Sequence, residues 1–441
     1  MQQRKLGRTG AAVSDIGFGA WAIGGSWGDV SVEDAKGALH AALDNGVTFI
    51  DTADVYGDGR SERIIADVLA ERGGARPFVA TKAGRRLSPH VAEGYTKANL
   101  TAFVERSLRN LRVDCLDLVQ LHCPPTPVFY QPDVFGAMDD LVAAGKIRHY
   151  GVSVEKVEEG LKAIEYPNVA TVQIIYNMFR QRPATLFFAE AARRDVGVIV
   201  RVPLASGLLT GKMSASTTFA ADDHRAFNRE GESFDKGETF AGVPYDLALE
   251  AVERIRALVP GGATMAQFAL RWILMEHSVS TVIPGARNAA QAIANSQASA
   301  LDAVSPAAME QLRALYRERI APTCTISGDR RHEETSRRPG AGGRGAAVRC
   351  GSHDAVPRQT RHRCHARHGS DDAHLGLVRL RRTELHDGAE RQETAERYRR
   401  PEPGSGPRPH AQPHDVGRRQ LCAQVGLDEY VQRRQGWQAG L

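Results

Sequence analysis

Eight short apolar, β-prone runs, each followed by a segment with helical periodicity, alternate along the first 322 residues. The runs are IGFGAW, VTFIDTA, PFVATKAG, CLDLVQLH, IRHYGVSV, VATVQIIYN, VGVIVRVPL and VSTVIPG. Their apolar content suits strands of a parallel sheet buried on both faces. Between them lie helices such as SVEDAKGALHAALDNG, with Ser31 as N-cap, Glu33 and Asp34 in the first turn and Gly46 at the end. Eight strand–helix units close a (β/α)8 barrel. An open doubly wound sheet is the rival, but it usually has fewer units and a glycine-rich turn that opens a helix. Gly17 and Gly19 within the first run and Gly24 and Gly25 after it are not followed by a helix in fingerprint register. RKLGRTGAAVS reads as a short hairpin before the barrel, and SPAAMEQLRALYRER as an extra amphipathic helix after it.

Three consecutive runs end on ionisable residues. Asp51 and Tyr56 close VTFIDTADVY, Lys82 closes PFVATK and His122 closes CLDLVQLH. A charged group at the end of a buried strand costs desolvation energy unless it has a partner there. In a βα-repeat protein the carboxyl ends of the strands are where active sites are built. These four residues are therefore the candidate catalytic set.

The segments IDTADVYGDGRSERIIADVL, PFVATKAG, LDLVQLHCP, the GVS of GVSVEKVEEGL, PLASGLLTGK and VIPGARN together resemble the aldo-keto reductase family. The likeness is collinear from Lys5 to about Pro322. It implies a TIM barrel, an NADP(H) or NAD(H) cofactor, and reduction of aldehydes or ketones. Reducing a carbonyl needs a hydride donor at carbon and a proton donor at oxygen, and no side chain delivers hydride. The resemblance makes Tyr56 the general acid/base. Lys82 would stabilise the phenolate, Asp51 would hold Lys82, and His122 would hydrogen-bond the carbonyl oxygen.

The same resemblance places Ser153 and Gln173 against the nicotinamide amide, and Ser206, Leu208, Thr210 and Lys212 at the pyrophosphate. It puts Gly285, Arg287, Gln291 and Asn295 around the adenosine, with Arg287 as the candidate for a 2′-phosphate. That makes NADP(H) the expected cofactor ahead of NAD(H). Two positions depart from the family pattern. Val154 stands where an Asn is common, and Arg201 where an aromatic ring stacks on the nicotinamide. A guanidinium plane can also stack on a ring. Trp21 and Trp27 are expected as substrate walls. Phe219, Phe227, Phe234 and Phe240 punctuate a polar stretch, 214–243, that reads either as a lid or as an insertion without a substrate role. The expected partner is a small carbonyl compound, and no metal site is expected. A regulatory subunit that binds the cofactor without turnover is the alternative.

Charge separates two regions. Residues 1–322 carry 35 basic and 37 acidic side chains, whereas 323–441 carry 22 Arg, no Lys and 15 acidic residues. The tail has nine of the fifteen His, no Phe and a single Ile, so it lacks the material for a packed core. It reads as disordered, or as out-of-frame translation of a GC-rich gene beginning near Pro322. A nucleic-acid partner is not expected, because acidic residues interrupt the arginines and aromatic residues are sparse among them. Metal binding at His362, Cys364, His365 and His368 is the least favoured reading. The six cysteines lack zinc or redox spacing, the N-terminus lacks a secretion signal, and no apolar run spans a bilayer. A cytoplasmic location follows as the expectation.

Overall fold

The computed structural model describes residues 1–25, 30–220, 223–229, 231–233 and 235–324. Trp27, Phe234 and the tail beyond residue 324, including His362 to His368, lie outside the described residues. Contacts divide the chain at Arg344, and every element below belongs to the first unit.

Strands β1 (Gln3–Lys5) and β2 (Ala12–Ser14) form the expected hairpin, with Arg4 opposite Val13. The barrel strands follow as β3 (Phe18–Gly19), β4 (Phe49–Asp51), β5 (Phe78–Ala83), β6 (Leu116–His122), β7 (Ile147–Ser153), β8 (Val169–Ile175), β9 (Gly197–Arg201) and β10 (Val279–Val282). All neighbours in this order pair in parallel. Parallel bridges Ile16–Val282 and Gly19–Gly285 join the first strand to the last, so the sheet closes. The chain folds as a TIM barrel.

Period-two alternation builds its interior. Phe49, Ala80, Leu118 and Ile199 form an apolar layer that Leu6 and Val13 of the hairpin plug from the amino end. Two residues further along the same strands come Asp51, Lys82, Gln120 and Arg201. The polar layer therefore lies at the carboxyl end by geometric necessity. Close packing leaves no space for a side chain at Gly151, where a Cβ would sit 2.1 Å from Thr171 Oγ1.

The outer faces of the strands bury against helices. Helix α1 (Val32–Asp44) begins at Ser31, whose hydroxyl accepts from the Asp34 N–H as expected. Helices α2 (Arg60–Arg72), α3 (Lys97–Leu111), α4 (Pro132–Ala143), α5 (Val157–Ala163) and α6 (Phe187–Arg193) complete the first six units. Between β9 and β10 the regularity changes, with a short α7 (His224–Phe227), α8 (Tyr245–Arg256) and an additional α9 (Met265–Leu274). The segmentation from sequence omits α9. Eight of its ten residues are buried. Its capping box, Thr264 with Gln267, was the available signal. Helix α10 (Ala289–Gln297) packs on α1, and α11 (Pro306–Leu315) is the extra helix.

Candidate active site

Asp51 ends β4, Lys82 lies on β5 and His122 ends β6, with respectively 3%, 1% and 3% of their surface exposed. Lys82 Nζ lies 2.6 Å from Asp51 Oδ2, 2.8 Å from the Thr52 carbonyl oxygen and 3.3 Å from Tyr56 Oη. Asp51 Oδ1 accepts from Gln173 Nε2 at 2.7 Å and from Gln120 Nε2 at 3.3 Å. The buried charge pair is thus fully ligated, the condition under which it is tolerated. Tyr56 sits on the loop after β4, and that loop is pressed backbone to backbone on the preceding one. A Cβ at Gly57 would lie 2.1 Å from the Gly24 carbonyl oxygen, and one at Gly24 would lie 2.9 Å from the Tyr56 carbonyl carbon. The Tyr56 ring stacks near Trp21 at 6.1 Å and meets His122 edge-on at 5.9 Å. The structure therefore brings the four residues together, with Trp21 beside them.

Electrostatics divide their roles. Burial, followed by the charges of Arg85, Lys82 and Arg201, holds His122 well below the usual histidine range, so its imidazole is neutral. Its Nδ1 is buried without a hydrogen-bond partner. Burial raises the Tyr56 phenol above its ordinary value, and the Lys82 ammonium pulls in the opposite direction. Burial works against the Lys82 charge, yet Asp51 and Tyr56 outweigh it and hold its pKa above normal. The site keeps Tyr56 protonated next to a permanent cation.

Below Tyr56, Asp54 and Glu62 are both fully buried. Glu62 accepts from Thr81 Oγ1 and Asn110 Nδ2, each at 2.7 Å. Burial first, then the charge of Glu62, pushes Asp54 up to about 7. The folded state then holds a proton that the unfolded chain releases, so stability falls as pH rises from about 4 to about 7 and no further above. Asp54→Asn should raise stability at about pH 8 by on the order of 2–4 kcal/mol, with the gain vanishing near pH 4. Urea denaturation of both proteins at the two pH values measures it.

The residues implied for the cofactor fall into three groups. Ser153 pairs across the sheet with both His122 and Gln173. Its hydroxyl donates to Gln173 Oε1 at 3.3 Å, so these two amide-facing candidates also serve the Asp51 network. After β9, Val202, Ala205, Ser206 and Gly207 all adopt positive φ, a concentration of strained backbone where the phosphate loop is expected. Thr210 Oγ1 closes this loop on the Gly207 carbonyl at 2.6 Å, Leu208 is buried and Lys212 is exposed. At the start of α10, Arg287 is exposed, its N–H donates to Gln291 Oε1 at 2.9 Å, and Asn295 Nδ2 donates to the Gly285 carbonyl at 3.1 Å.

Several neighbours escaped the sequence reading. Arg201 Nη1 lies 3.2 Å from Glu238 Oε1, and Arg201 Nη2 donates to the Val154 carbonyl at 3.0 Å. Arg85 Nη2 reaches the same Glu238 oxygen at 3.4 Å and Glu155 at 3.6 Å. Cys123, Glu155 and Glu238 converge closely enough to hold a metal ion, but the two guanidiniums already occupy their carboxylates. Ser206 Oγ donates to the Glu238 carbonyl at 2.9 Å and accepts from the Phe240 N–H at 3.2 Å. His224 is buried 5.1 Å from the Trp21 ring. His224, Glu238 and Phe240 of the 214–243 stretch thus pack against the site. Gln120 alone carried a signal, being a polar residue inside an apolar strand.

A sequence model described as the aldo/keto reductase family matches residues 15–317. The chain belongs to that family. An aldo-keto reductase of Bacillus subtilis, YhdN, is 32% identical over 66% of this chain and 86% of its own length. A protein of Arabidopsis thaliana named as a probable voltage-gated potassium channel subunit beta is 29% identical over 68% and 91%. The fission-yeast (Schizosaccharomyces pombe) aldo-keto reductase yakc [NADP(+)] is 28% identical over 64% and 82%. Among solved structures, a glycerol dehydrogenase from Gluconobacter oxydans superposes with TM-score 0.59 at 29% identity, covering 72% of this chain and 96% of its own. The family assignment makes the barrel an oxidoreductase fold member. Among the described residues no helix is long and apolar enough to cross a membrane.

Proposed function

We propose that this chain is an NADP(H)-dependent reductase of a small aldehyde or ketone, running in reverse on the alcohol or sugar, with Tyr56 as general acid/base. The observation that carries this reading is the Asp51–Lys82–Tyr56 chain at 2.6 and 3.3 Å, beside a neutral His122 with a free buried nitrogen. A bound nicotinamide supplies the hydride to the carbonyl carbon. The protein supplies the proton. Tyr56 gives it from Oη to the carbonyl oxygen, and Lys82 stabilises the phenolate left behind. Asp51 keeps Lys82 charged and in place, while His122 donates a hydrogen bond to the developing oxyanion.

The residues present suit an NADP(H) molecule. Arg287, Gln291 and Asn295 gather beside Gly285 at the carboxyl end of β10, and the likeness to the NADP(+)-named yeast relative supports the phosphorylated form. Arg287→Ala should weaken NADPH binding about tenfold, the worth of one exposed charge-assisted contact, and leave NADH binding unchanged. Fluorescence titration of each cofactor tests this. Equal losses for both cofactors would remove Arg287 from the 2′-phosphate site. We place the barrel domain at 1–322, followed by the Arg/His-rich tail at 323–441, in a cytoplasmic protein without nucleic-acid partners.

The regulatory-subunit reading draws support from the channel-subunit relative and from Arg201, which stands paired with Glu238 where a stacking ring is common. Aldehyde turnover by the purified protein separates the two, since a regulatory subunit would bind NADPH and turn nothing over.

A further inference from the structure

Gln120 is a polar side chain buried beneath the site without an assigned task. It lies on β6 two residues before His122, so both point into the barrel. Its Cα partners are Lys82 on β5 and Gly151 on β7, and none of its surface is exposed. Its Nε2 donates to Asp51 Oδ1 at 3.3 Å, while its Oε1 is buried with no hydrogen-bond partner. The orientation is forced, because a carboxylate oxygen accepts and only the NH2 end of the amide donates. Burying an amide with its carbonyl unsatisfied costs stability, and an apolar side chain in the same place would avoid that cost. Packing therefore does not account for Gln120, whereas its bond to Asp51 does.

Asp51 and Tyr56 share one cation. Asp51 Oδ2 holds Lys82 Nζ at 2.6 Å, and the same ammonium lies 3.3 Å from Tyr56 Oη. Burial raises the Tyr56 phenol, the Lys82 charge lowers it, and the Asp51 charge raises it again. Two amides ligate Asp51 through Oδ1. Gln173 reaches it at 2.7 Å, but Gln173 also accepts from Ser153, and the cofactor reading gives it the nicotinamide amide. The Gln120 side chain serves Asp51 alone among the described residues. Resting on the reductase reading, we propose that Gln120 is a positioning residue for the proton transfer. By donating to Asp51 Oδ1 it offsets part of the carboxylate charge and leaves more of the Lys82 field at Tyr56 Oη. It acts through Asp51 and Lys82, not through contact with the reacting atoms.

The test follows oxidation of para-nitrobenzyl alcohol by NADP+ against pH, for the full chain and for Gln120→Met, which keeps the length and removes the donor. The rate in that direction rises as Tyr56 becomes the phenolate base. Without Gln120 the Asp51 charge acts on Tyr56 less opposed, so the midpoint should move up by about half to one pH unit. Reduction of para-nitrobenzaldehyde at neutral pH should slow about three- to tenfold, with KM for NADPH unchanged within about twofold. Gln120→Asn keeps the amide but falls short of Asp51. It should shift the midpoint the same way, which covers a Met variant that does not fold. A midpoint that stays put in both variants, whatever happens to kcat, makes Gln120 a packing residue and overturns the proposal. If the unaltered chain turns over neither the aldehyde nor the alcohol, the reductase reading fails. The Tyr56 midpoint is then read by ¹³C NMR of Cζ-labelled tyrosine in the NADP+ complex, with Tyr56→Phe identifying the resonance. An upward shift in the variants upholds the role of Gln120, and equal midpoints overturn it.

Discussion

Replacing Tyr56 with phenylalanine should lower kcat for aldehyde reduction by about 100- to 10,000-fold, the range that a positioned general acid contributes. The substitution removes only Oη. The ring keeps its stacking with Trp21 at 6.1 Å and its edge contact with His122 at 5.9 Å, so the fold and the cofactor surface are preserved. NADPH affinity measured by fluorescence should therefore stay within about twofold. Loss of kcat without loss of binding is the signature of an interaction used in the transition state. A kcat that survives the change would mean that another group, His122 being nearest in place, delivers the proton.

The second large effect concerns stability. Lys82→Met should destabilise the protein by about 3–5 kcal/mol, because it leaves Asp51 as a buried charge whose remaining ligands are the amides of Gln120 and Gln173. For a domain of this size that corresponds to a fall in Tm of roughly 6–15 °C. The double variant Asp51→Asn/Lys82→Met removes both charges and should recover most of the loss, while activity stays absent. If the double variant melts as low as the single one, the cost lies in the shape of the vacated space rather than in the unpaired carboxylate. Calorimetric melting of the three proteins distinguishes these outcomes.

The legible part of the molecule is the part dictated by strand alternation. Asp51, Lys82 and His122 were visible because a parallel strand buried on both faces is apolar until the level where the site begins, so any charge there stands out. Tyr56 followed from its place just after Asp51, and Gln120 could have been found by the same logic. The partners contributed by Glu238, Arg85 and His224 were not legible. Glu238 and His224 belong to an inserted stretch without periodicity, and nothing in a linear pattern says which of its many charges turns inward. Arg85 looks like any arginine after a strand until the fold sets it beside Arg201. Ser153 and Gln173 face each other on neighbouring strands. Their service to Asp51 emerges only from the closed barrel, which sets β4 and β8 across one interior.

The central claim is that the Asp51–Lys82–Tyr56–His122 set protonates a carbonyl oxygen during nicotinamide-dependent reduction. Its most direct test is steady-state oxidation of NADPH by the full chain with para-nitrobenzaldehyde, followed by loss of the near-ultraviolet absorbance of the cofactor, with NADPH binding monitored by fluorescence. Saturable, aldehyde-dependent oxidation that yields the alcohol is the predicted result. Tight NADPH binding with no turnover of any aldehyde or ketone, and no reverse reaction with an alcohol and NADP+, would contradict it.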